Sequence, residues 1–547
     1  MSIQFRQLSA GFSVAGQIDV AQLEQIAAAG FRSLICVRPD EEDGGQHASS
    51  KQLASQAAAI GLAFSYLPVA KGTRGEEQAS AMRHALATLP APVFAYCLSG
   101  GRAANLFSQV QMPEPAAATE SENPEPPARL ACGAASASPA PADDARFDIV
   151  IVGGGAAGIG VAASLLRREP GLQLAIIEPA STHYYQPAWT LVGAGAYDVR
   201  KTARPVAELL PAGSSLLPHA ASYFDADARV VGLSNGARIG YQQLIVCPGL
   251  QLAWDKIEGL EETLGRNGVS SNYRYDLAPY TWELVSALRR GKAIFTQPAM
   301  PIKCAGAPQK AMYLSCDHWL RRGVLRDIEV EFCNAGGALF GVAAFVPALM
   351  SYVRKYDAQL SFSSNLVRVD GQRKLAWFDV KDAEGNTQRV EKSFDFLHVV
   401  PPQVSPDVVR NSPLADAAGW CDVDHATLQH PRYPNVFSLG DVCSAPNAKT
   451  VAAVRKQIVV VAENLLALRK GLPLPKRYDG YGACPLTVEK GKIVLAEFGY
   501  GGKLLPTFPL DPTIARRSAW YLKTSVLPTV YWQLMLKGRE WLTATSV

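Results

Sequence analysis

Apolar and polar positions alternate with two different periods along residues 1–110. Apolar residues recur at helical spacing in 20–29, 51–60 and 78–89, and they form short strand-like runs at 33–37, 64–69 and 93–96. Helices that alternate with short apolar strands are typical of a parallel sheet covered by helices. The pattern therefore predicts a small α/β domain in residues 1–110.

The alternation is lost in residues 111–145, where Pro, Ala, Ser and Glu dominate. A segment of this composition cannot bury a core and is typical of a flexible to semi-extended linker. Its cysteine, Cys132, is interpreted as an incidental exposed thiol. The linker separates the N-terminal domain from a second folded region that begins at residue 146.

A longer α/β pattern fills residues 146–475. An apolar strand at 147–152 leads into a glycine cluster, a helix through residue 166 and a second strand at 174–177. The uncharged run 149–166 approaches the length of a membrane span, but its glycines break it into strand, turn and helix. A second α/β segment extends from about residue 293 to about residue 400. We therefore predict tandem Rossmann-like lobes.

The glycine cluster has the spacing of a dinucleotide-binding loop. Gly153, Gly155 and Gly158 form G-x-G-x-x-G between a predicted strand and a predicted helix, and Glu178 ends the next predicted strand. The glycines permit a tight turn and a close backbone approach, and the N-terminus of the helix faces a pyrophosphate. An acidic side chain at the position of Glu178 binds ribose hydroxyls.

Two further segments discriminate between the dinucleotides. The apolar strand at 435–439 ends in Gly440 and Asp441, and in flavoproteins with two dinucleotide-binding domains such an Asp binds the ribityl chain of FAD. The second lobe offers only 334–341 as a glycine loop, and that segment is not G-x-G-x-x-G. We therefore expect FAD as the cofactor, no nicotinamide site, and other routes for electrons to and from the flavin.

The ten cysteines show no C-x-x-C, C-x-x-C-H or paired zinc spacing, which argues against a metal site and a c-type haem. Cys304 and Cys443 lie far apart in a chain that carries a dinucleotide loop, and this combination indicates electron transfer between sulfur and a flavin. Lys303 would favour a thiolate at Cys304 by its charge. The cysteines expected to pack rather than react are Cys36, Cys247, Cys316, Cys333, Cys421 and Cys484.

The net charge and the first six residues bear on nucleic-acid binding and on secretion. The net charge of +4 over 547 residues is mild, so no nucleic-acid-binding surface is expected. Residues 1–6 lack a basic region followed by an apolar core, so no secretory signal is evident. We expect a cytoplasmic, reducing setting, in which disulfides are usually catalytic.

The C-terminal region, 476–547, ends in a segment of distinct composition. From residue 514 onward Glu540 is the one acidic residue, and 525–536 is an uncharged stretch that is too short to span a bilayer. The basic and aromatic residues of this segment are Arg516, Arg517, Lys523, Lys537, Arg539, Trp520, Tyr521, Tyr531, Trp532 and Trp541. Such a composition predicts a helix in the membrane interface; the alternative is a tail packed on its own domain.

Residues 146–547 resemble the sulfide:quinone oxidoreductases of the type that includes the mitochondrial enzyme. The segments that carry the resemblance are 183–195, 301–310, 430–437, 478–481 and 495–498. The resemblance implies FAD-dependent oxidation of sulfide with reduction of a membrane quinone. It also implies peripheral (monotopic) membrane contact, which we expect at the cytoplasmic face of a bacterial inner membrane.

The resemblance implies a role for each matched position. Cys304 and Cys443 would form a redox-active disulfide, with Cys304 as the flavin-facing thiolate and Cys443 as the persulfide carrier. The expected FAD contacts are Gly153, Gly155, Ala156, Ala157, Gly158, Glu178, Gln186, Ala221, Asp407, Gly440 and Asp441. In animal members the second cysteine is expected directly after Gly-Asp, whereas Val442 intervenes here and displaces the sulfur by one residue.

The N-terminal domain carries a further cysteine loop. The strand at 93–96 runs into Cys97 and, after four residues, Arg102, and such a loop directs backbone N–H groups and an arginine at one anion. With 37–41, this domain resembles the phosphatase-like family found fused to sulfur-metabolism and β-lactamase-fold enzymes. C-x4-R is the loop length of rhodanese-type sulfurtransferases, whereas cysteine phosphatases use C-x5-R.

Three hypotheses therefore stand for the N-terminal domain. The first is relay of sulfur through Cys97 to a low-molecular-weight thiol such as glutathione, and the others are a cysteine phosphatase with Asp40 as general acid and a docking module. For the flavoprotein, the alternative is an NADH dehydrogenase or a disulfide reductase. The missing second glycine motif and the absence of a C-x4-C redox pair argue against that alternative.

Overall fold

The structure, a computed structural model, describes residues 5–9, 11–42, 47–69, 76–98, 102–103, 106–107 and 145–543. The chain divides into two compact units, Met1–Ala137 and Ser138–Val547. Each unit has hydrophobic cores of its own. The predicted linker, except for Ala145, and its Cys132 lie outside the described residues.

The first unit contains an α/β sheet. Its strands are β1 Arg6–Ser9, β2 Phe12–Ala15, β3 Ser33–Cys36, β4 Ala63–Tyr66 and β5 Val93–Tyr96, and its helices are α1 Leu23–Ala28, α2 Ser50–Ala59 and α3 Glu76–Thr88. The strand order is β1-β2-β5-β3-β4, with β1 antiparallel to β2 and every other neighbour parallel. The predicted parallel α/β domain is confirmed, whereas the short β1–β2 hairpin was not predicted.

Strand β5 is buried on both faces of this sheet. Val93 and Ala95 pack into one core, and Phe94 and Tyr96 pack into the other. A parallel strand that is covered on both faces consists of a continuous run of apolar residues. This run is the pattern from which β5 was predicted. Cys97 follows at the carboxyl end of this strand.

The second unit contains the remaining described elements. Its strands are β6 Arg146–Val152, β7 Leu174–Ile177, β8 Thr182–Tyr184, β9 Ala203–Pro205, β10 Ser214–Leu217, β11 Ala221–Asp225, β12 Val230–Leu233, β13 Arg238–Val246, β14 Gln251–Leu252, β15 Val269–Ser270, β16 Gly291–Gln297, β17 Ile328–Asn334, β18 Gln359–Ser361, β19 Ser364–Asp370, β20 Leu375–Lys381, β21 Thr387–Ser393, β22 Phe396–His398, β23 Gln403–Val404, β24 Val436–Ser438, β25 Gly482–Glu489 and β26 Lys492–Phe498. Its helices are α4 Ala156–Arg168, α5 Trp189–Val192, α6 Leu277–Ala287, α7 Ala307–Arg321, α8 Val346–Lys355, α9 Asp407–Arg410, α10 Val451–Arg469, α11 Arg517–Tyr521 and α12 Leu527–Thr529.

The first lobe of this unit is a seven-stranded sheet. Its order is β10-β7-β6-β13-β12-β11, and β24 also pairs with β13. Strands β6, β7, β10, β13 and β24 run parallel, while β11 and β12 are antiparallel. Helices α4 and α10 share one core over the sheet. Because the carboxyl ends of parallel strands meet at one edge, the residues after β6, β7 and β24 converge there.

The second lobe is a five-stranded parallel sheet in the order β15-β22-β16-β17-β18. Helix α7 packs against this sheet and against the antiparallel hairpin β25–β26. A separate antiparallel sheet, β19-β20-β21, lies between β18 and β22 in the chain. These elements confirm the predicted second α/β segment.

The C-terminal segment, residues 517–537, is helical but irregular. It consists of α11, a π-helical turn Leu522–Val526, α12, a second π-helical turn Val530–Leu534 and a 3₁₀ turn Met535–Lys537. Tyr531, Trp532, Met535 and Leu536 are buried in the core that α4 and α10 form. This part of the tail therefore packs on its own domain. Among the described residues, no helix is both long enough and apolar enough to cross a membrane.

Candidate functional site

A cavity of about 440 Å³ lies where the two lobes of the second unit meet the C-terminal segment. The glycine loop and Glu178 line one part of it, Lys303 and Cys304 line another, and Lys523 and Tyr531 come from the C-terminal segment. The cavity therefore joins the predicted dinucleotide loop, one predicted redox cysteine and the tail in a single space.

The backbone of the glycine loop accounts for two of its glycines. Gly153 has φ +107, and a Cβ there would lie 2.4 Å from the carbonyl oxygen of Cys247. A Cβ on Gly158 would lie 1.8 Å from the carbonyl oxygen of Gly153. Both positions exclude a side chain because the strand, the loop and the helix approach each other closely.

Gly155 and Glu178 face the open side of the same loop. A Cβ on Gly155 would meet no atom within 4 Å, so open space lies at the N-terminus of α4. The two carboxylate oxygens of Glu178 accept hydrogen bonds of 2.7 Å from the backbone N–H groups of Gly154 and Ala180. These bonds fix the carboxylate at the edge of the cavity, as the motif predicts.

Asp441 and two lysines, Lys303 and Lys449, line the cavity together. Lys303 Nζ donates to Gln186 Oε1 at 2.6 Å, and Lys449 Nζ donates to the carbonyl oxygen of Asp441 at 2.6 Å. Burial raises the pKa of Asp441, although the charges of both lysines oppose the rise. Burial also lowers the pKa of Lys303 to about 8.

The residues present fit a flavin dinucleotide. Thr190 and Asn272 add polar side chains to the lining of the cavity. The open helix N-terminus beside Gly155 fits a pyrophosphate. Glu178 provides a carboxylate for ribose hydroxyls.

Most of the expected cofactor residues line this cavity. They are Gly153, Gly155, Ala156, Ala157, Glu178, Gln186, Gly440 and Asp441. Gly158 lies beneath the loop instead, where it permits the approach to Gly153.

The structure does not bring Ala221 and Asp407 to the cavity, and so it does not bear out their expected contacts. Ala221 begins the edge strand β11 and pairs with Leu233. Asp407 begins α9, where its exposed carboxylate pairs with Arg410. Helix α9 packs on β11, so both residues lie at a different edge of the sheet from the glycine loop.

Cys304 occupies a strained position just before helix α7. Its φ is +81, in the left-handed region that residues other than glycine rarely adopt. Its carbonyl oxygen accepts a 2.6 Å hydrogen bond from Ala307 N–H in the first turn of the helix. The sulfur is therefore close to the positive end of the helix, which favours a thiolate.

Lys310, rather than the predicted Lys303, is the lysine that contacts the cysteine. Lys310 Nζ lies 3.2 Å from Cys304 Sγ, while the ammonium of Lys303 is directed to Gln186. Cys304 Sγ also lies 3.8 Å from the sulfur of Cys484. The hydrogen bond with Cys484 and the charge of Lys310 hold the pKa of Cys304 well below its ordinary value, against the effect of burial.

Lys523 brings a second ammonium from the C-terminal segment towards this cysteine. It is only 5% exposed. Burial and the charge of Lys310 together lower its pKa to about 7, while Cys304 and Cys484 act in the opposite direction. A buried ammonium near the sulfur therefore titrates close to neutral pH.

The structure does not bring Cys443 into contact with Cys304. Both are free thiols. Cys443 is fully buried in the core of the first lobe, and its Sγ donates to the carbonyl oxygen of Gly440 at 3.2 Å. It is absent from the lining of the cavity, whereas Asp441 two residues earlier belongs to it. Lys303 and Lys449 nevertheless form a parallel β-bridge, so the segment that contains Cys304 lies beside the segment that follows Cys443.

The tail is connected to the glycine loop through a buried histidine. Tyr531 Oη lies 2.5 Å from His183 Nε2, and His183 Nδ1 lies 3.3 Å from the carbonyl oxygen of Gly154. Burial lowers the pKa of His183 to about 4, so the ring is neutral near pH 7. The C-terminal segment is thus a wall of the site.

In the first unit, Cys97 is fully buried at the end of β5. Arg102 donates to the carbonyl oxygen of Val69 at 2.6 Å and to Glu42 Oε2 at 2.7 Å. Burial tends to lower the pKa of Arg102, but hydrogen bonding to Glu42 and the adjacent Cys97 sulfur raise it overall. Arg102 therefore lies beside the thiol, as the C-x4-R spacing predicts. The intervening loop residues 99–101 lie outside the described residues.

Comparison with known proteins gives separate matches for the first unit and for the second unit of the chain. Residues 4–113 match the family described as "Beta-lactamase hydrolase-like protein, phosphatase-like domain". A Beta-lactamase hydrolase-like protein of Agrobacterium fabrum is 36% identical over 95 residues, which are 17% of this chain and 22% of that protein. Residues 147–279 match the family described as "Pyridine nucleotide-disulphide oxidoreductase".

The larger part has relatives that align over most of their length. The mitochondrial sulfide:quinone oxidoreductase of Mus musculus is 38% identical over 393 residues, which are 72% of this chain and 87% of the mouse protein. The X-ray structure of the sulfide:quinone oxidoreductase of Aquifex aeolicus, at 21% identity, has the same fold. Its TM-score is 0.59, and the match covers 73% of this chain and 92% of that one.

These relationships identify the dinucleotide as FAD, in agreement with the residues of the cavity. The N-terminal unit is a phosphatase-like domain. With this domain in front of its flavoprotein part, the chain belongs to the sulfide:quinone oxidoreductase family.

Proposed function

We propose that this protein oxidises sulfide and reduces a membrane quinone. The observation that carries the proposal is the single cavity that joins the FAD loop, the Cys304 sulfur and the C-terminal segment. The names of the mouse, Dictyostelium and fission yeast relatives support both substrates. Bound FAD supplies a two-electron acceptor that takes electrons from sulfur and passes them to the quinone.

The sulfur chemistry proceeds through a disulfide of Cys304 and Cys443. Hydrosulfide attacks the Cys443 sulfur, the S–S bond breaks, Cys443 carries the new persulfide, and Cys304 leaves as a thiolate with the electron pair. The ammonium of Lys310, 3.2 Å from Cys304 Sγ, stabilises this thiolate. Because the Cys443 sulfur is buried and directed at Gly440, formation of this disulfide requires the backbone of 440–446 to turn.

Anaerobic titration of the holoprotein with sulfide tests the proposal. Sulfide bleaches the flavin absorbance of the native protein but not that of Cys304→Ser. Cys443→Ser loses the same response. Cys316→Ser serves as the control, since Cys316 is fully buried in another part of α7 and retains the response. Sulfide-dependent quinone reduction that persists in Cys304→Ser would contradict the proposal.

Quinone reaches the cavity from the lipid through peripheral membrane contact, at the cytoplasmic face of a bacterial inner membrane. The C-terminal apolar surface consists of the exposed side chains Leu504, Phe508, Leu510, Ile514, Tyr521 and Leu542. Phe508 and Leu542 also line the cavity, so this surface borders its mouth. Exposed Lys503, Arg517 and Lys537 lie in the same part of the chain and favour anionic headgroups.

Co-sedimentation with vesicles of phosphatidylethanolamine and phosphatidylglycerol tests this contact. The double variant Leu510→Glu/Ile514→Glu is expected to bind at least about tenfold more weakly, because two apolar side chains no longer enter the lipid. The control is Met300→Glu/Leu472→Glu, which changes side chains that are 57% and 56% exposed elsewhere. Equal loss in both double variants would contradict a specific membrane surface.

The Cys97 thiolate takes the outer sulfur of the persulfide while Cys443 leaves as a thiolate, and a low-molecular-weight thiol such as glutathione then takes that sulfur while Cys97 leaves as a thiolate. The Arg102 guanidinium beside Cys97 provides the positive charge that a persulfide anion needs, and Glu42 fixes that guanidinium at 2.7 Å. Cys97→Ser is expected to leave quinone reduction intact and to slow formation of glutathione persulfide. Equal rates of sulfur transfer in the native protein and the variant would reject the relay.

A further inference from the structure

Cys484 lies behind Cys304, on the side away from the cavity. It belongs to β25, is fully buried, and does not line the cavity. Its Sγ lies 3.8 Å from Cys304 Sγ, which is within the range of a thiol–sulfur hydrogen bond. Cys484 was expected from the sequence to be an inert packing residue.

The approach of the two sulfurs depends on Gly306. A Cβ on Gly306 would lie 2.2 Å from Leu486 Cδ2 and 3.7 Å from the Cβ of Cys484. A glycine at this position therefore allows the start of α7 to rest directly on β25. That packing brings the two cysteines together although they are distant in sequence.

The surroundings of the pair decide which sulfur keeps its proton. Cys484 lies in a core with Leu486, Val494 and Ala496, where a charge would be poorly solvated. Cys304 borders the cavity and has the Lys310 ammonium 3.2 Å away. These surroundings favour the negative charge on Cys304, and with the charge there the Cys484 thiol is the donor. The same contact raises the pKa of Cys484 well above its ordinary value and lowers that of Cys304.

We propose that Cys484 is a positioning residue for Cys304: its S–H donates a hydrogen bond that holds the neighbouring sulfur as a thiolate at the cavity wall. The inference rests on the proposed function in so far as Cys304 is the sulfur that reacts. No electrons are transferred in this step, because the proton simply stays on Cys484 while Cys304 carries the charge.

Alkylation of Cys304 by iodoacetamide in the full-length holoprotein, held reduced so that Cys304 is a free thiol, tests the role without any substrate. The rate is followed against pH by mass spectrometry of the Cys304 peptide. Cys484→Ala is expected to move the midpoint upward by at least about one pH unit, a tenfold loss of thiolate below the midpoint. Cys484→Ser retains an O–H donor and is expected to shift the midpoint less than Cys484→Ala.

Two further variants separate a lost hydrogen bond from lost packing. Cys484→Val fills the site without a donor and is expected to behave like Cys484→Ala, which keeps the test valid if the smaller side chain prevents folding. Cys316→Ala removes another fully buried thiol from the same core and should leave the profile unchanged. Identical profiles for the native protein, Cys484→Ala and Cys484→Val would overturn the proposal, as would a Cys304–Cys484 disulfide in the isolated protein.

Sulfide titration distinguishes failure of this inference from failure of the proposed function. If sulfide bleaches the native flavin while Cys484→Val alkylates with the native profile, the positioning role alone is rejected. If sulfide does not bleach the native flavin while Cys484→Val shifts the profile, the positioning role stands and the proposed reaction is rejected.

Discussion

At the scale of single residues, Cys304 combines three features that are rarely found together. Its backbone is left-handed, an ammonium lies 3.2 Å from its sulfur, and a second thiol lies 3.8 Å from it. Strained backbone persists where the surrounding structure fixes it, and such positions cluster at functional sites. The chemistry of the site is therefore concentrated on a residue whose environment comes from distant parts of the chain.

Lys310 is expected to control the charge of that sulfur. Lys310→Met should slow alkylation of Cys304 at pH 7 by about tenfold or more, because loss of an ammonium in contact raises the thiol pKa by at least about one unit. Lys303→Met is the matched control, since Lys303 Nζ is bonded to Gln186. Equal slowing in the two variants, measured by mass spectrometry, would contradict the assignment of Lys310.

The glycine loop allows structural and cofactor-binding roles to be separated. Gly158→Ala should destabilise the protein by about 3 kcal/mol or more, because the new Cβ collides with backbone. Gly155→Ala should fold normally but bind FAD more weakly, since its Cβ enters the open space at the helix N-terminus. Thermal unfolding of the flavin-free proteins and their flavin content after gel filtration check both results. Normal flavin content in Gly155→Ala would contradict the placement of the pyrophosphate.

The sequence predicted those residues whose role depends only on their spacing within a short segment of the chain. Gly153, Gly158 and Glu178 belong to one strand–loop–helix–strand unit, so their spacing was sufficient. Lys310 lies within the segment around Cys304. Pro308, in the first turn of α7, was an available signal for a helix there, and that helix could have pointed to the contact between Lys310 and Cys304. Cys484 and Lys523 could not be predicted, because tertiary packing brings them to Cys304 from remote segments.

At the scale of elements, the C-terminal segment is both a wall of the cavity and part of the core. Tyr531 and Trp532 are buried, and Arg204 stacks 4.2 Å from the centre of the Trp532 ring. The amphipathic composition predicted an interfacial helix, yet several of its aromatic residues face inward. Composition could not reveal this, because the π-helical turns from 522 onward change which side chains share a face.

Lys523 gives this element a characteristic dependence of stability on pH. Its pKa is about 7 in the folded protein and 10.5 ordinarily, so between these values the unfolded chain binds more protons and stability rises with pH. Below pH 7 both states are protonated, and the folded state bears the full cost of the buried charge. Lys523→Met should therefore raise the thermal midpoint more at pH 6 than at pH 9. A gain that is equal at both pH values would contradict burial of this ammonium.

At the scale of the whole molecule, the chain joins two compact units with separate cores. Both α/β architectures could be predicted, because parallel strands that are buried on both faces appear as continuous apolar runs. The cofactor loop followed from the same pattern. The position of Cys443 could not be predicted, because the order Gly440-Asp441-Val442 does not determine which residue after the turn faces the cavity. In the structure, Val442 and Cys443 are buried in different cores.

The separation of the two units predicts that they can be tested apart. A truncated chain that begins at residue 138 should retain FAD and reduce quinone with sulfide at a rate within about twofold of the full chain, since no described residue that lines the cavity precedes 153. Stopped-flow absorbance measures this rate. Loss of flavin from the truncated chain would show that the first unit is needed to form the site.

The left-handed backbone of Cys304 also has a consequence for the evolution of this fold. With φ at +81, glycine is conformationally the easiest residue at this position, and cysteine is kept against a cost of about 1 kcal/mol. A lineage that no longer needs the thiol would gain stability by a single change to glycine. Cys304→Gly should accordingly have a higher thermal midpoint than Cys304→Ala. A glycine at this position in a related protein would indicate that the protein no longer uses this cysteine in sulfur chemistry.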